Sequence, residues 1–86
     1  MKGGKVKFTR HASEKFELLK KYGFQVTERA VRETVANPHN VESRENQTLA
    51  TKPIDDEFAL RVVYKKTNGN IVIVTFYPVK RSRFNV

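Results

Sequence analysis

Arg61 and Lys65 stand four residues apart in the stretch F-A-L-R-V-V-Y-K-K, Phe58 to Lys66. An extended chain turns every second side chain to the same side, so both cations face one way. Phe76, in the apolar run that follows, belongs to the same side, and Lys80, Arg81 and Arg83 come after that run. Cations spaced along a strand beside an aromatic ring suit a phosphate backbone with an occasional stacked base. The same arginine and lysine stems also shield apolar strand surface, and charge alone does not separate the two roles.

His11, one of two histidines, forms a second group with Thr75 and Tyr77. Imidazole, hydroxyl and phenol brought together make a hydrogen-bonded network when buried, or a proton-transfer site when one edge stays open. The network is the expected role. Other candidates carry less. Asp55-Asp56-Glu57 lacks the spacing of a calcium loop and reads as a solvated acidic turn. Gly3-Gly4 has neither the preceding strand nor the pattern of a phosphate loop. His39 follows a helix-ending proline and is expected at the surface, and no base and acid are placed around Ser13, Ser43 or Ser82 to activate a hydroxyl. No metal site and no cofactor are expected.

The elements that must position these residues follow from period and punctuation. Lys5-Val-Lys-Phe8 alternates polar and apolar and predicts a short strand. Thr9 suits the N-cap of a helix reaching about Tyr22 and closed by Gly23, with Ala12, Phe16 and Leu19 at the centre of its apolar side and His11 on the flank. A second helix starts at Thr27, where Val26 and Val31 can close a hydrophobic staple, and stops at Asn37 before Pro38. From Val41 to Thr51 a polar strand or hairpin is expected. Two strong strands, Phe58–Lys66 and Ile71–Tyr77, flank Asn68-Gly69, a pair suited to the positive φ angles of a type I′ turn.

A two-residue turn there pairs Tyr64 with Ile73 and, with no irregularity, Val62 with Thr75. One face then carries Phe58, Leu60, Val62, Tyr64, Ile71, Ile73, Thr75 and Tyr77, and both helices are expected on it. The other carries Ala59, Arg61, Val63, Lys65, Val72, Val74 and Phe76, too apolar for an ordinary solvent face. In this register Arg61 and Tyr77 lie on opposite faces. They can share a site only if the last strand bulges or bends before Pro78.

The 86 residues suffice for one domain, with residues 1–4 and 82–86 expected as flexible tails. The chain has no cysteine and no long apolar run, and a cytoplasmic protein is expected. Its net charge of +8 is concentrated at the two ends: residues 1–10 hold four cations and no acid, residues 61–86 six cations and no acid. If the ends meet, they make one positive patch of the kind nucleic-acid binders carry.

His11-Ala12, Asn37-Pro38, R-V-V-Y at Arg61 to Tyr64 and V-T-F-Y-P at Val74 to Pro78 resemble the prokaryotic family named domain of unknown function 4258, itself similar to RelE/ParE-type toxins. The resemblance spans about residues 5–80. It implies an α+β, RelE-like fold: an N-terminal strand and two helices packed on one face of a small, about four-stranded, mainly antiparallel sheet. It also implies a toxin-type RNA-binding protein, with metal-independent cleavage of messenger RNA as the activity. In that reading Arg61 stabilises charge, His11 or Tyr77 transfers protons, and Lys65, Lys80, Arg81 and Arg83 hold phosphates. RelE's lysine-rich strand has no clear counterpart here, and its C-terminal helix carrying a tyrosine is missing. The alternative is a non-catalytic module that recognises nucleic acid or an acidic, antitoxin-like protein. ParE-like action on gyrase uses the same fold. Whether the chain is a monomer or a homodimer is not legible.

Overall fold

The computed structural model describes residues 5–84. Along the chain run β1 (Val6–Phe8), α1 (Arg10–Lys21), α2 (Glu28–Ala36), β2 (Asn40–Arg44), β3 (Gln47–Pro53), β4 (Phe58–Thr67), β5 (Asn70–Lys80) and the short turn α3 (Arg81–Phe84). The five strands form one mixed sheet in the order β1-β5-β4-β3-β2. The expected α+β class therefore holds, with one strand more than the four anticipated. The polar stretch after Pro38 is a full hairpin, and β1 joins the sheet parallel to β5. Residues 82–84, expected in a tail, belong to α3, while 1–4 and 85–86 lie outside the described residues.

Both helices begin where their caps predict. Thr9 and Thr27 accept hydrogen bonds from the Ala12 and Ala30 amides, which satisfy donors the helix itself leaves unpaired. Gly23, at φ +89°, ends the first helix in a conformation that other residues adopt only under strain. α1 packs over β5 and β1, and α2 over β4 and β3. Ala12, Leu19 and Val31 meet Ala50, Leu60, Val62, Tyr64, Ile73 and Phe76 in a continuous core.

Asn68 (φ 51°) and Gly69 (φ 80°) form the expected turn, and Tyr64 does pair with Ile73. The next pair is Val63 with Thr75, not with Val74. Val74 is thus the extra residue of a β-bulge, and every later residue of β5 faces the opposite way from the regular register. Phe76, expected outside, is fully buried against Phe16 with ring centroids 4.7 Å apart. Thr75 and Tyr77, expected inside, share the helix-free face with their partners Val63 and Arg61. The physical reason is burial: the bulge places the Phe76 ring in the core and turns the Tyr77 phenol to the other face.

Thr9 ties this irregularity to α1. Its amide donates to the Ile73 carbonyl at 3.1 Å, and its hydroxyl donates to the Val74 carbonyl at 3.2 Å while capping the helix. If Phe76 is the inward residue, Phe76→Ala will lower the unfolding free energy by about 3–5 kcal/mol in urea titrations. Tyr77→Ala will cost much less, and a reversal of that order would contradict the bulged register.

Candidate nucleic-acid interface

The helix-free face is read most easily as rows running across the strands. At the end nearest the β4–β5 turn, Lys7 pairs with Val72, Val72 with Lys65, and Gln47 with Arg44. Continuing the β3–β4 register by one residue sets Gln47 beside Lys65. Three cations from β1, β4 and β2 therefore lie along one line. The next row is Thr75, Val63, Leu49 and Glu42, and the third is Tyr77, Arg61, Thr51 and Asn40. The two basic ends of the chain meet only in part: the β1–β5 pairing brings Lys7 to the Lys65 side, while Lys80 and Arg81 lie at the other end of β5. Between the tips of the two hairpins lies a shallow depression lined by Arg44, Glu45, Asn46, Gln47 and Lys65.

Arg61 is the buried charged residue of these rows, with 7 % of its side chain exposed, beside the likewise buried Leu49, Thr51 and Val63. One guanidinium nitrogen donates to Glu42 Oε1 at 2.7 Å, and the other lies 3.5 Å from Thr51 Oγ1. Glu42 Oε2 accepts from Arg44 Nη2 at 2.9 Å and Nε at 3.2 Å. One carboxylate thus bridges two arginines. Hydrogen bonds from Arg44 foremost, then from Arg61, hold the Glu42 carboxyl below the usual carboxylate range. Burial pushes the Tyr64 phenol up, consistent with its place in the core.

Of the groups that cleavage would need, the fold brings two together. Arg61 and Tyr77 are direct cross-strand partners, as the sequence reading required of a bulge before Pro78. His11 is not with them. It is exposed on α1, beside a depression also lined by Glu14, Lys15, Leu18 and Lys21, whereas Thr75 and Tyr77 lie on the face that α1 does not cover. The expected His11–Thr75–Tyr77 network therefore does not form. Thr75 Oγ1 is buried with no hydrogen-bond partner among the described residues.

The expected phosphate clamps are also divided. Lys65 lies on the helix-free face near the β4–β5 turn, but Lys80 pairs with Phe58 at the other end of β4. Seven residue steps of strand separate them, about 23 Å. Lys80 reaches Glu57 at 3.4 Å, and Arg83 borders a groove with Phe24, Phe58 and Pro78. Arg81 is tied to the acidic loop, its amide to the Glu57 carbonyl at 2.9 Å and its guanidinium to the Asp55 carbonyl at 2.9 Å. That loop is structural: Asp55 Oδ1 accepts from the Phe58 and Glu57 amides, which lower its pKa. Among the described residues no group of three or more His, Asp or Glu is placed to hold a metal ion. No described helix is long and apolar enough to cross a membrane.

Lys7, Arg44 and Glu42 are the members that motif reading passed over. The alternation Lys5-Val-Lys-Phe8 and the spacing Glu42-Ser-Arg44 carry the signal that each pair points one way, but only the long-range pairing joins them to Lys65. Comparison with protein-family profiles, curated proteins and solved structures finds no match.

A carboxylate whose folded pKa is depressed stabilises the fold above its unfolded pKa of about 4.3, and loses that contribution as pH falls through the folded value. Glu42→Gln should therefore melt below wild type at neutral pH, with the gap closing on acidification in thermal scans. A gap constant with pH would show that the Glu42 charge contributes nothing.

Proposed function

We propose that this chain is a RelE-like, toxin-type protein that binds RNA backbone through the sheet face its helices leave uncovered. The observation that carries the reading is the row of Lys7, Lys65 and Arg44 across three strands, with Gln47 among them and Val72 between the lysines. Cations on one line, backed by a sheet rather than by mobile loops, match the repeating charge of a single strand. The net charge of +8 adds the long-range attraction that brings a polyanion to this face.

A second reading, RNA cleavage without a metal, is favoured by one feature, the placement of Tyr77 opposite Arg61. In such cleavage the 2′-hydroxyl of the RNA loses its proton and attacks the adjacent phosphorus, and the bond to the 5′-oxygen of the next nucleotide breaks. Tyr77 would handle a proton and Arg61 the extra negative charge. His11 has no part in it, being on the other side of the sheet. An acidic, antitoxin-like partner would meet the same cations and compete with RNA for them.

In fluorescence anisotropy with a short labelled oligouridylate, affinity should fall steeply with salt. Lys65→Ala and Lys7→Ala should each weaken binding and reduce the slope of log K against log salt by roughly 0.7, the value for one phosphate of a single strand. Affinity independent of salt, or unchanged in both variants, would overturn the binding reading. Arg61→Ala and Tyr77→Phe should abolish any cleavage of translated messenger RNA, while His11→Ala leaves it intact. Cleavage that survives in Arg61→Ala would remove the catalytic reading alone.

A further inference from the structure

We propose that Glu42 is a resident anion: in the free protein its carboxylate occupies a seat, formed by Arg44 and Arg61, that takes one phosphate group of the bound nucleic acid. Binding then proceeds by exchange of carboxylate for phosphate. The inference rests on the RNA-binding reading and specifies how that face is regulated.

The geometry is that of an anion site already filled. Two oxygens of one group are held by two guanidiniums from different strands, Oε1 by Arg61 on β4 at 2.7 Å and Oε2 by Arg44 on β2 at 2.9 and 3.2 Å. A phosphodiester offers the same pair of charged oxygens, and arginine binds either anion through paired N–H groups. The seat adjoins the cationic row, because Arg44 belongs to both. A strand following Lys7 and Lys65 thus reaches it without leaving the face.

The partners differ in freedom. Arg61 has 7 % of its side chain exposed and is packed within the sheet face, whereas Glu42 has 47 % exposed and stands on an edge strand. Glu42 can turn into solvent, and Arg61 cannot follow. Arg61 stays in place when Glu42 turns outward, so an arriving oxyanion meets a donor already positioned. The exchange reduces apparent affinity by the fraction of molecules in which the seat is open, and removing the carboxylate removes that penalty.

The test compares wild type, Glu42→Gln and Glu45→Gln. Glu45 lines the depression that Arg44 and Lys65 also border, and its loss changes net charge equally, but its carboxylate is not part of the seat. Two readouts are taken at constant ionic strength, oligouridylate affinity by anisotropy and melting temperature with and without inorganic phosphate. Glu42→Gln should bind the oligonucleotide roughly tenfold more tightly than Glu45→Gln does, the scale of one charge-assisted hydrogen bond. Phosphate should raise the melting temperature of Glu42→Gln more than that of wild type.

Equal gains in both variants, with no selective effect of phosphate, would overturn the seat while leaving RNA binding in place. Selective stabilisation of Glu42→Gln by phosphate, with no oligonucleotide bound by any form, would keep the seat and overturn the RNA reading. Should Glu42→Gln not fold, Glu42→Asp carries the same test, since the shorter carboxylate bridges the two arginines less well and must show a gain of the same sign.

Discussion

The ladder between β4 and β5 has to reconcile a fixed turn with a fixed core. Asn68-Gly69 sets the register from one end, and the need to bury the Phe76 ring rather than the Tyr77 phenol sets it from the other. The two demands differ by one residue, and Val74 absorbs the difference. Everything beyond Val74 is turned over. The core gains a phenyl ring tilted against that of Phe16, and the helix-free face gains Tyr77 beside Arg61. The bulge is thus at once a packing solution and the origin of the site.

The start of α1 is fastened to the same point. Thr9 caps the helix and donates to the Val74 carbonyl, so the extra residue has its own partner and the helix is aimed along β5. The short F-T-R-H segment therefore serves the fold, and His11 turns outward as a consequence of that placement. On the opposite face the strands alone arrange the cations. β1 brings Lys7 to β5, the β4–β5 turn region supplies Lys65, and the β2–β3 hairpin supplies Arg44 together with the carboxylate that restrains it.

Local signals were legible in the sequence, and non-local ones were not. Thr9, Gly23, Thr27, Pro38 and Asn68-Gly69 act through neighbours in the chain, and each element boundary they imply is where the structure has it. The polar β2–β3 hairpin read only weakly because β2 is an edge strand with every residue exposed, which leaves no alternation to detect. The bulge had a trace in the sequence: Ile71, Ile73 and Phe76 are the most apolar choice of inward residues, and their spacing breaks the period of two. Strict alternation hid it, and with it the true partners of Tyr77. The bond from Arg61 to Glu42, nineteen residues away, depends on the full order of the sheet and has no local signature.

The central claim is the register, and cross-strand nuclear Overhauser contacts in the native protein test it without any substitution. The bulged ladder predicts contacts between Val63 and Thr75 and between Arg61 and Tyr77. Contacts pairing Val63 with Val74 and Leu60 with Tyr77 would contradict it. They would return Tyr77 to the helix side and separate the two residues on which the cleavage reading rests.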